Sequence, residues 1–289
     1  MQGSLLMLAA LGLFAVLDTN SKLLSASYPV AQVVLIRQGT MLLLLLLARL
    51  LRPGAGGPLA TAHPGLHLLR AAGMLGSAIG FFQALREIPL AEGYLVYFTA
   101  PFMTLGLAAL ALGERPPRAV WLWSGVGFLG VLVAMAPGLS AGGSPLAYAY
   151  ALLGTASYAV VLTVNRGLRH EPGIARLILW SALPGGMVLA PFALAGWVPP
   201  SPADWLALAL NGVFAGLATI CLAGAFRRAS VAQLAPLEFS ALLWAMLADL
   251  AIWGALPGLA TLAGGAIVVA ACVMSQRARR TPSGATGTA

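Results

Sequence analysis

The sequence predicts an all-α membrane protein of ten transmembrane helices arranged as two inverted five-helix repeats. Three observations carry that reading. The 289-residue chain is 60% hydrophobic and only 8% charged, against roughly 25% charged residues in soluble domains. Apolar runs of about 20 residues, the length that crosses ~30 Å of hydrocarbon, follow one another with short connectors. Finally, the segment 85–138 returns near the C-terminus. At an offset of 141, Ala84-Leu85-Arg86 meets Ala225-Phe226-Arg227, Ala91 meets Ala232, Phe98 meets Phe239, Gly113 meets Gly254 and Pro116 meets Pro257. Internal repetition decides an architecture before any local reading does.

Turn residues punctuate the spans. The first, 4–24, has neither a basic leading region nor a small-residue cleavage pattern, which makes it a retained helix rather than a signal peptide. The second, 29–51, opens at Pro29, and the Gly/Pro-rich stretch Arg52 to Gly65 after it reads as a loop. Spans follow at 66–87, 90–112 and 118–136, closing the first repeat, 1–138. A second Gly/Pro loop, Ala136 to Ser144, leads to spans at 145–168, 172–196, 203–226, 230–253 and 258–276, the second repeat, 145–276. Residues 277–289 read as a disordered cytoplasmic tail. The first and sixth spans also correspond: Phe14-Ala15 matches Tyr158-Ala159, and Ser21-Lys22 matches Asn165-Arg166. Five is odd, so the second copy enters the membrane upside down, a layout typical of secondary transporters with a midplane site between the halves.

Charge sets the orientation. Lys22 and Arg86 fall on one side and Arg37 within a span, so thirteen of the sixteen basic residues share the side of the N-terminus. The positive-inside rule then places both termini in the cytoplasm of a bacterial-type plasma (inner) membrane. Arginines scattered between spans are no nucleic-acid footprint, despite a net charge of +8. Cys221 and Cys272 lie inside apolar runs, which speaks against a disulfide framework and against a metal site. No cofactor is implied. A pump's phosphate loop needs Gly-Lys-Ser/Thr, and the one lysine, Lys22, follows Ser21. A membrane-embedded enzyme is the reading from another class. HExxH and GxSxG are both absent, and His63 and His67 lie in or beside a loop with no acid or cysteine nearby in sequence. The filter or charge ring of a passive channel is missing as well.

The same residues resemble the EamA-type branch of the drug/metabolite transporter superfamily. The matching features in the first half are Ala84-Leu85, Ala91, Phe98-Thr99-Ala100-Pro101, Leu112-Gly113-Glu114, Trp121, Gly125 and Gly130-Val131. In the second half they are Ala225, Pro236-Leu237-Glu238-Phe239, Trp244, Trp253-Gly254, Pro257 and Gly264-Gly265. The resemblance implies ten helices, cytoplasmic termini, alternating access, and transport of a small polar or amphipathic metabolite such as an amino acid or drug-like compound. Export, proton-coupled or facilitative, is the direction the analogy favours; uptake of a nucleotide-derived metabolite or vitamin is the alternative. The partners expected are the bilayer, a small-molecule substrate and protons. A monomer suffices, since both halves lie in one chain, and a dimer stays open. One departure is that Glu114 has Ala255 as its counterpart.

An ionisable side chain at membrane depth costs about 2.5–3.5 kcal/mol, so each one is a candidate for function. Asp18 sits about 9 Å below the outer end of the first span and Arg37 about 13 Å below the outer start of the second. They form either a charged pair facing the substrate cavity or a structural ion pair locking two helices. Lys22, one turn from Asp18, reads as snorkelling to the interface. Glu238 follows Pro236, which frees a backbone carbonyl, and a desolvated carboxyl there can take and release a proton. Asp249 lies on nearly the same face but close to the outer surface. Tyr97 is the symmetry counterpart of Glu238; with Tyr94, Pro101 and Thr104 it forms a stripe that offers rings and hydroxyls to a flat cargo. Gln83, Asn165 and Trp244 are further candidates, whereas Asn211 reads as a hydrogen bond to a neighbouring helix. Ala72, Gly76, Gly80, Gly212 and Gly216 read as small faces for close packing.

Overall fold

The computed structural model describes residues 2–113, 117–140, 144–168, 171, 173–229, 234 and 237–280. Within them the chain is helical throughout: α1 Gln2–Ser25, α2 Val30–Leu51, α3 Pro64–Leu85, α4 Leu90–Tyr97, α5 Ala100–Leu112, α6 Arg118–Ser140, α7 Pro145–Gly167, α8 Ile174–Ala195, α9 Pro202–Phe226, α10 Ser240–Trp253 and α11 Leu259–Arg280. Counting α4 and α5 as one span, nine described helices are long and apolar enough to cross a membrane; α10 is a shorter apolar helix. Leu43, Leu46, Met187, Phe192 and Leu259 are among the large apolar side chains left exposed on the outside. A continuous apolar exterior of this kind is what a lipid-facing surface requires.

Proline and its neighbours explain the break between α4 and α5. Pro101 has no N–H to give the Tyr97 carbonyl, so the ladder cannot run straight through. Phe98 and Thr99 tighten instead: the Thr99 amide donates to the Val96 carbonyl at 3.0 Å and its hydroxyl to the same oxygen at 2.7 Å. A similar turn at Phe239 precedes α10, and the rings of Phe98 and Phe239 meet edge to face, 5.6 Å apart. Pro236 and residues 230–233 lie outside the described residues, as do Glu114, Pro116 and residues 281–289 of the tail; residues 277–280, expected in that disordered tail, instead continue the last helix. Gly113 (φ 66°) and Gly254 (φ 62°) end α5 and α10 in the left-handed conformation, which glycine adopts without a Cβ penalty.

The loop expected from residue 136 begins later. Helix α6 runs on through Pro137 to Ser140; a proline in the last turn costs little, because the bond it removes lies at a frayed end.

The helices pair α1 with α9, α2 with α8 and α9, α3 with α7 and α8, and α6 with α11, while α4 packs against α7 and α10. Small residues set the closest of these crossings. A Cβ on Gly80 would stand 2.7 Å from the Gly154 amide nitrogen, and one on Gly76 would stand 2.8 Å from the Ser157 hydroxyl, so α3 and α7 touch backbone to backbone. Gly212 seats α9 against Arg37 and Thr40 of α2. Two expected members of such faces do not serve: Gly216 has nothing within 4 Å of its missing Cβ, and Ala72 is exposed. Gly73 takes the place of Ala72, close against Ser157 and Val161.

Loop contacts sort the helix ends onto two faces. On the face of the N-terminus, Gly3 abuts Ala229, and the Ala175 amide donates to the Gly56 carbonyl at 3.0 Å. On the far face, the Tyr28 hydroxyl donates to Asp204 at 2.7 Å and Gln32 exchanges two hydrogen bonds with the backbone of Val198.

Candidate functional site

The centre of the bundle is aromatic and carries opposite charges. Phe81 and Phe82 of α3 and Tyr94 and Tyr97 of α4 pack in one cluster with Leu17 and Val34. Ring centroids step from Tyr94 to Phe81 (5.8 Å), Phe81 to Tyr97 (5.1 Å) and Tyr97 to Tyr158 of α7 (4.9 Å). The Tyr97 hydroxyl shares a 2.6 Å hydrogen bond with Ser77. This i, i+3 placement of Tyr94 and Tyr97 puts both phenols on one side of a short helix.

Asp18 and Arg37 flank these rings. The Tyr94 hydroxyl donates to one Asp18 oxygen at 2.6 Å, and the Arg37 guanidinium lies 5.3 Å from the centre of the Phe82 ring. Both side chains are half-buried. They lie within electrostatic reach of one another, yet the described ion pairs do not include them. The predicted pair is therefore a neighbourhood rather than a salt bridge. Among the described residues Arg37 has no hydrogen-bond acceptor for any of its five N–H groups. Glu238, half-buried, likewise has no hydrogen-bond partner among the described residues; its charge is felt by Tyr158 and by Cys272.

The structure separates the remaining candidates from this centre. Gln83, at the end of α3, accepts from Arg86 at 3.4 Å. Asn165 accepts from the Arg70 Nε at 2.8 Å, nearer the face of the N-terminus. Trp244 is 40% exposed and covers Gly12 of α1. Asn211 does bond a neighbouring helix, donating to the Ser21 hydroxyl at 2.7 Å. Phe81, Phe82 and Tyr158 went unmarked as candidates because an aromatic residue in an apolar run carries no signal of its own.

Lys22 does not snorkel. Its Nζ donates to the Ile88 carbonyl at 2.9 Å, lies 3.8 Å from Asp249 and sits 4.5 Å from the centre of the Trp253 ring. The cause is Asp249, whose two oxygens accept from the backbone N–H groups of Leu90 (3.1 Å) and Ala91 (2.8 Å). Pro89 offers no side-chain cap to α4, so a carboxylate from α10 satisfies these first-turn donors. At the next residue, the Tyr148 hydroxyl donates to Glu92 at 2.5 Å.

On the opposite face, His63 and His67 do have an acid between them. Glu171 stands 2.8 Å from His63 Nδ1 and 3.3 Å from His67 Nε2, accepts from the Ala62 amide at 2.8 Å and from the Thr61 hydroxyl, and pairs with Arg176 at 3.4 Å. The Thr61 hydroxyl, then His63, the Ala62 amide and His67, hold its carboxyl down to about 2. A separation of more than a hundred residues concealed this cluster in the sequence. The stretch read as a plain loop is thus tied down, with Trp180 donating to the Leu59 carbonyl at 3.1 Å and Arg49 to Gly57 at 2.8 Å.

Comparison with known proteins completes this picture. A pseudopaline exporter of Pseudomonas aeruginosa (strain UCBPP-PA14) is 28% identical, covering 96% of this chain and 97% of its own. An S-adenosylmethionine uptake transporter of Rickettsia conorii is 25% identical over 73% of this chain and 71% of its own. A riboflavin transporter of Vibrio cholerae is 26% identical over 93% and 91%. A protein of known crystal structure shares the fold at 22% identity with a TM-score of 0.67, covering 96% of this chain and 97% of that one. The EamA-like transporter family matches residues 1–136 and 145–276. This chain, an integral protein of the inner membrane that moves a small molecule rather than an enzyme, belongs to the EamA-like transporter family.

Proposed function

We propose that the protein exports a small polar or amphipathic metabolite by alternating access between two inverted five-helix halves, 1–138 and 145–276, with both termini in the cytoplasm. The observation that carries this is the charged centre of the helix bundle. An acid and a guanidinium held among membrane helices without a direct ion pair, Asp18 bonded by the Tyr94 hydroxyl and Arg37 over the Phe82 ring, is a costly arrangement that packing does not need. Asp18, Arg37, Tyr94 and Tyr97 form its substrate-facing wall, and Glu238 takes and releases the coupling proton. The helix pairs support the inverted halves: exchanging each helix for its counterpart turns the α3–α7 pair into α9–α1 and leaves α2–α8 and α6–α11 unchanged. So does the Phe98–Phe239 contact between equivalent residues. Outward transport follows the exporter of Pseudomonas aeruginosa, which matches along nearly its whole length; the Rickettsia relative keeps uptake as the alternative.

The test is transport by the purified protein in liposomes incubated with a water-soluble bacterial metabolite extract. Mass spectrometry of the washed vesicles is expected to find compounds enriched over empty liposomes, with faster entry when the same compound is preloaded inside. A carrier shows that acceleration and a channel does not. Vesicles that enrich nothing would remove the transport reading.

A further inference from the structure

We infer that the face away from the N-terminus holds a binding site for a small monovalent cation such as sodium, walled by Glu92, Asp249 and Thr261. Such a site is separate from the Asp18–Arg37 centre and does not depend on the carrier reading above.

A cavity of about 50 Å³ lies where the start of α4 meets the end of α10 and its connection to α11. Its wall takes Pro89, Ala91 and Glu92 from one side, Asp249 and residues 255–258 from the other, and Thr261 from the first turn of α11. A water-sized guest needs roughly 10–15 Å³ of such space, provided that polar groups face it.

The side-chain oxygens there keep bonding capacity. Thr261 is 7% exposed, and its hydroxyl has no hydrogen-bond partner among the described residues. Thr40, Thr104, Thr155, Thr163 and Thr219 each give the hydroxyl to the carbonyl four residues back. For Thr261 that residue is Pro257, which lies outside the helix. Glu92 accepts from Tyr148 through Oε2, and its Oε1 has no described partner. Asp249 accepts one amide at each oxygen, half of the four lone-pair positions that a carboxylate offers.

Charge decides which guest fits. The 2.5 Å contact from Tyr148 to Glu92 has the length of a hydroxyl bond to an ionised carboxylate. The charged groups that act on Glu92 are Asp249 and Lys22, so two negative charges face one positive. Lys22 is held outside the cavity wall, on the Ile88 carbonyl and over the Trp253 ring. One surplus negative charge beside unmet oxygens calls for one positive guest. A monovalent cation cancels the surplus, whereas a divalent one overshoots it, and ligation by oxygen alone suits a hard ion. The first-turn amides of α4, which would oppose a cation, are taken by Asp249, and the last carbonyls of α10 add negative potential. The N-terminus of α11 works in the other direction, so the binding expected is weak. Because α4 and α10–α11 supply opposite walls, the ion binds only while they meet and stabilises that contact.

Sodium NMR of the purified protein in a neutral detergent tests the site, with choline chloride holding the ionic strength constant. Wild-type protein is expected to broaden the sodium resonance saturably, half-complete at about 1–10 mM. Glu92→Gln and Thr261→Val proteins that elute as single species are expected to raise that half-point, at least about tenfold and about threefold respectively. Magnesium added at a concentration equal to sodium is expected to leave most of the broadening in place. Absence of saturable broadening leaves the cavity to water and overturns the site. An unchanged half-point in either variant places the ion elsewhere and overturns it too. Loss of the broadening to equal magnesium overturns the monovalent class. Saturation and magnesium competition are read on the wild-type protein, so a variant that misfolds does not shield the site.

Discussion

Glu238 and Asp249 are both carboxylates of the second half at membrane depth, and their surroundings assign them opposite roles. Asp249 has both oxygens engaged by amides and a lysine beside it, so it is a structural anchor. Replacing it by alanine strands two N–H groups and Lys22 at once, at about 1–3 kcal/mol for each buried group left unpaired. Asp249→Ala is expected to lower the thermal midpoint in detergent by several degrees, more than Lys22→Ala does; equal midpoints would deny Asp249 its anchoring role. Glu238 has no such partners among the described residues, which fits the proton-coupling role proposed for it. Glu238→Gln, which mimics a permanently protonated carboxyl, is expected to insert normally and to abolish pH-driven transport in liposomes. Undiminished acceleration of transport by an imposed pH gradient would exclude Glu238 from coupling. At this scale the sequence marked the charged residues well, because charge inside a span is conspicuous. It was silent on Phe82 and Tyr158, since their role depends on which neighbours the fold supplies.

At the scale of elements, the connection between α2 and α3 behaves as a latch across the two halves. It gives Thr61, Ala62 and His63 to Glu171 and the Gly56 carbonyl to Ala175. Apart from the start of the ninth span, where the described helix begins only at Ser240, helix spans were legible to within a few residues, because apolar length and turn chemistry are local properties. The latch was not, because composition reads Gly and Pro as loose chain and is blind to a distant acid. Its pH response follows from Glu171, whose carboxyl is depressed from 4.5 to about 2. A depressed carboxyl contributes stability that is complete above its unfolded value and is lost as pH falls through the folded one. The groups facing it are His63, His67 and Arg176, and pH 5 still lies above the carboxyl's unfolded value of 4.5. Hydrogen exchange at the Ala62 and Ala175 amides, corrected for intrinsic rates, is therefore expected to stay slow from pH 8 to 5. Glu171→Ala should accelerate it severalfold at every pH; unchanged exchange would mean that the backbone contacts alone hold the loop.

For the molecule as a whole, the two halves present the same device at equivalent places: an edge-to-face pair at Phe98 and Phe239, and left-handed caps at Gly113 and Gly254. An odd number of spans per half requires each such pair of helix ends to lie on opposite sides of the bilayer. A parallel repeat would put them on the same side. Pro117 and Gly258, four residues beyond the equivalent caps, are both described outside helices and both exposed, which makes them suitable reporters. The chain has two cysteines, Cys221 and Cys272, so a double alanine background leaves each new thiol as the single target. A membrane-impermeant maleimide applied to intact cells is expected to label Gly258→Cys and to spare Pro117→Cys until the cells are opened. Labelling of Pro117→Cys alone would invert the proposed orientation but keep the inverted repeat. Labelling of both from one side would break the repeat itself, and with it the proposal of alternating access between two inverted halves.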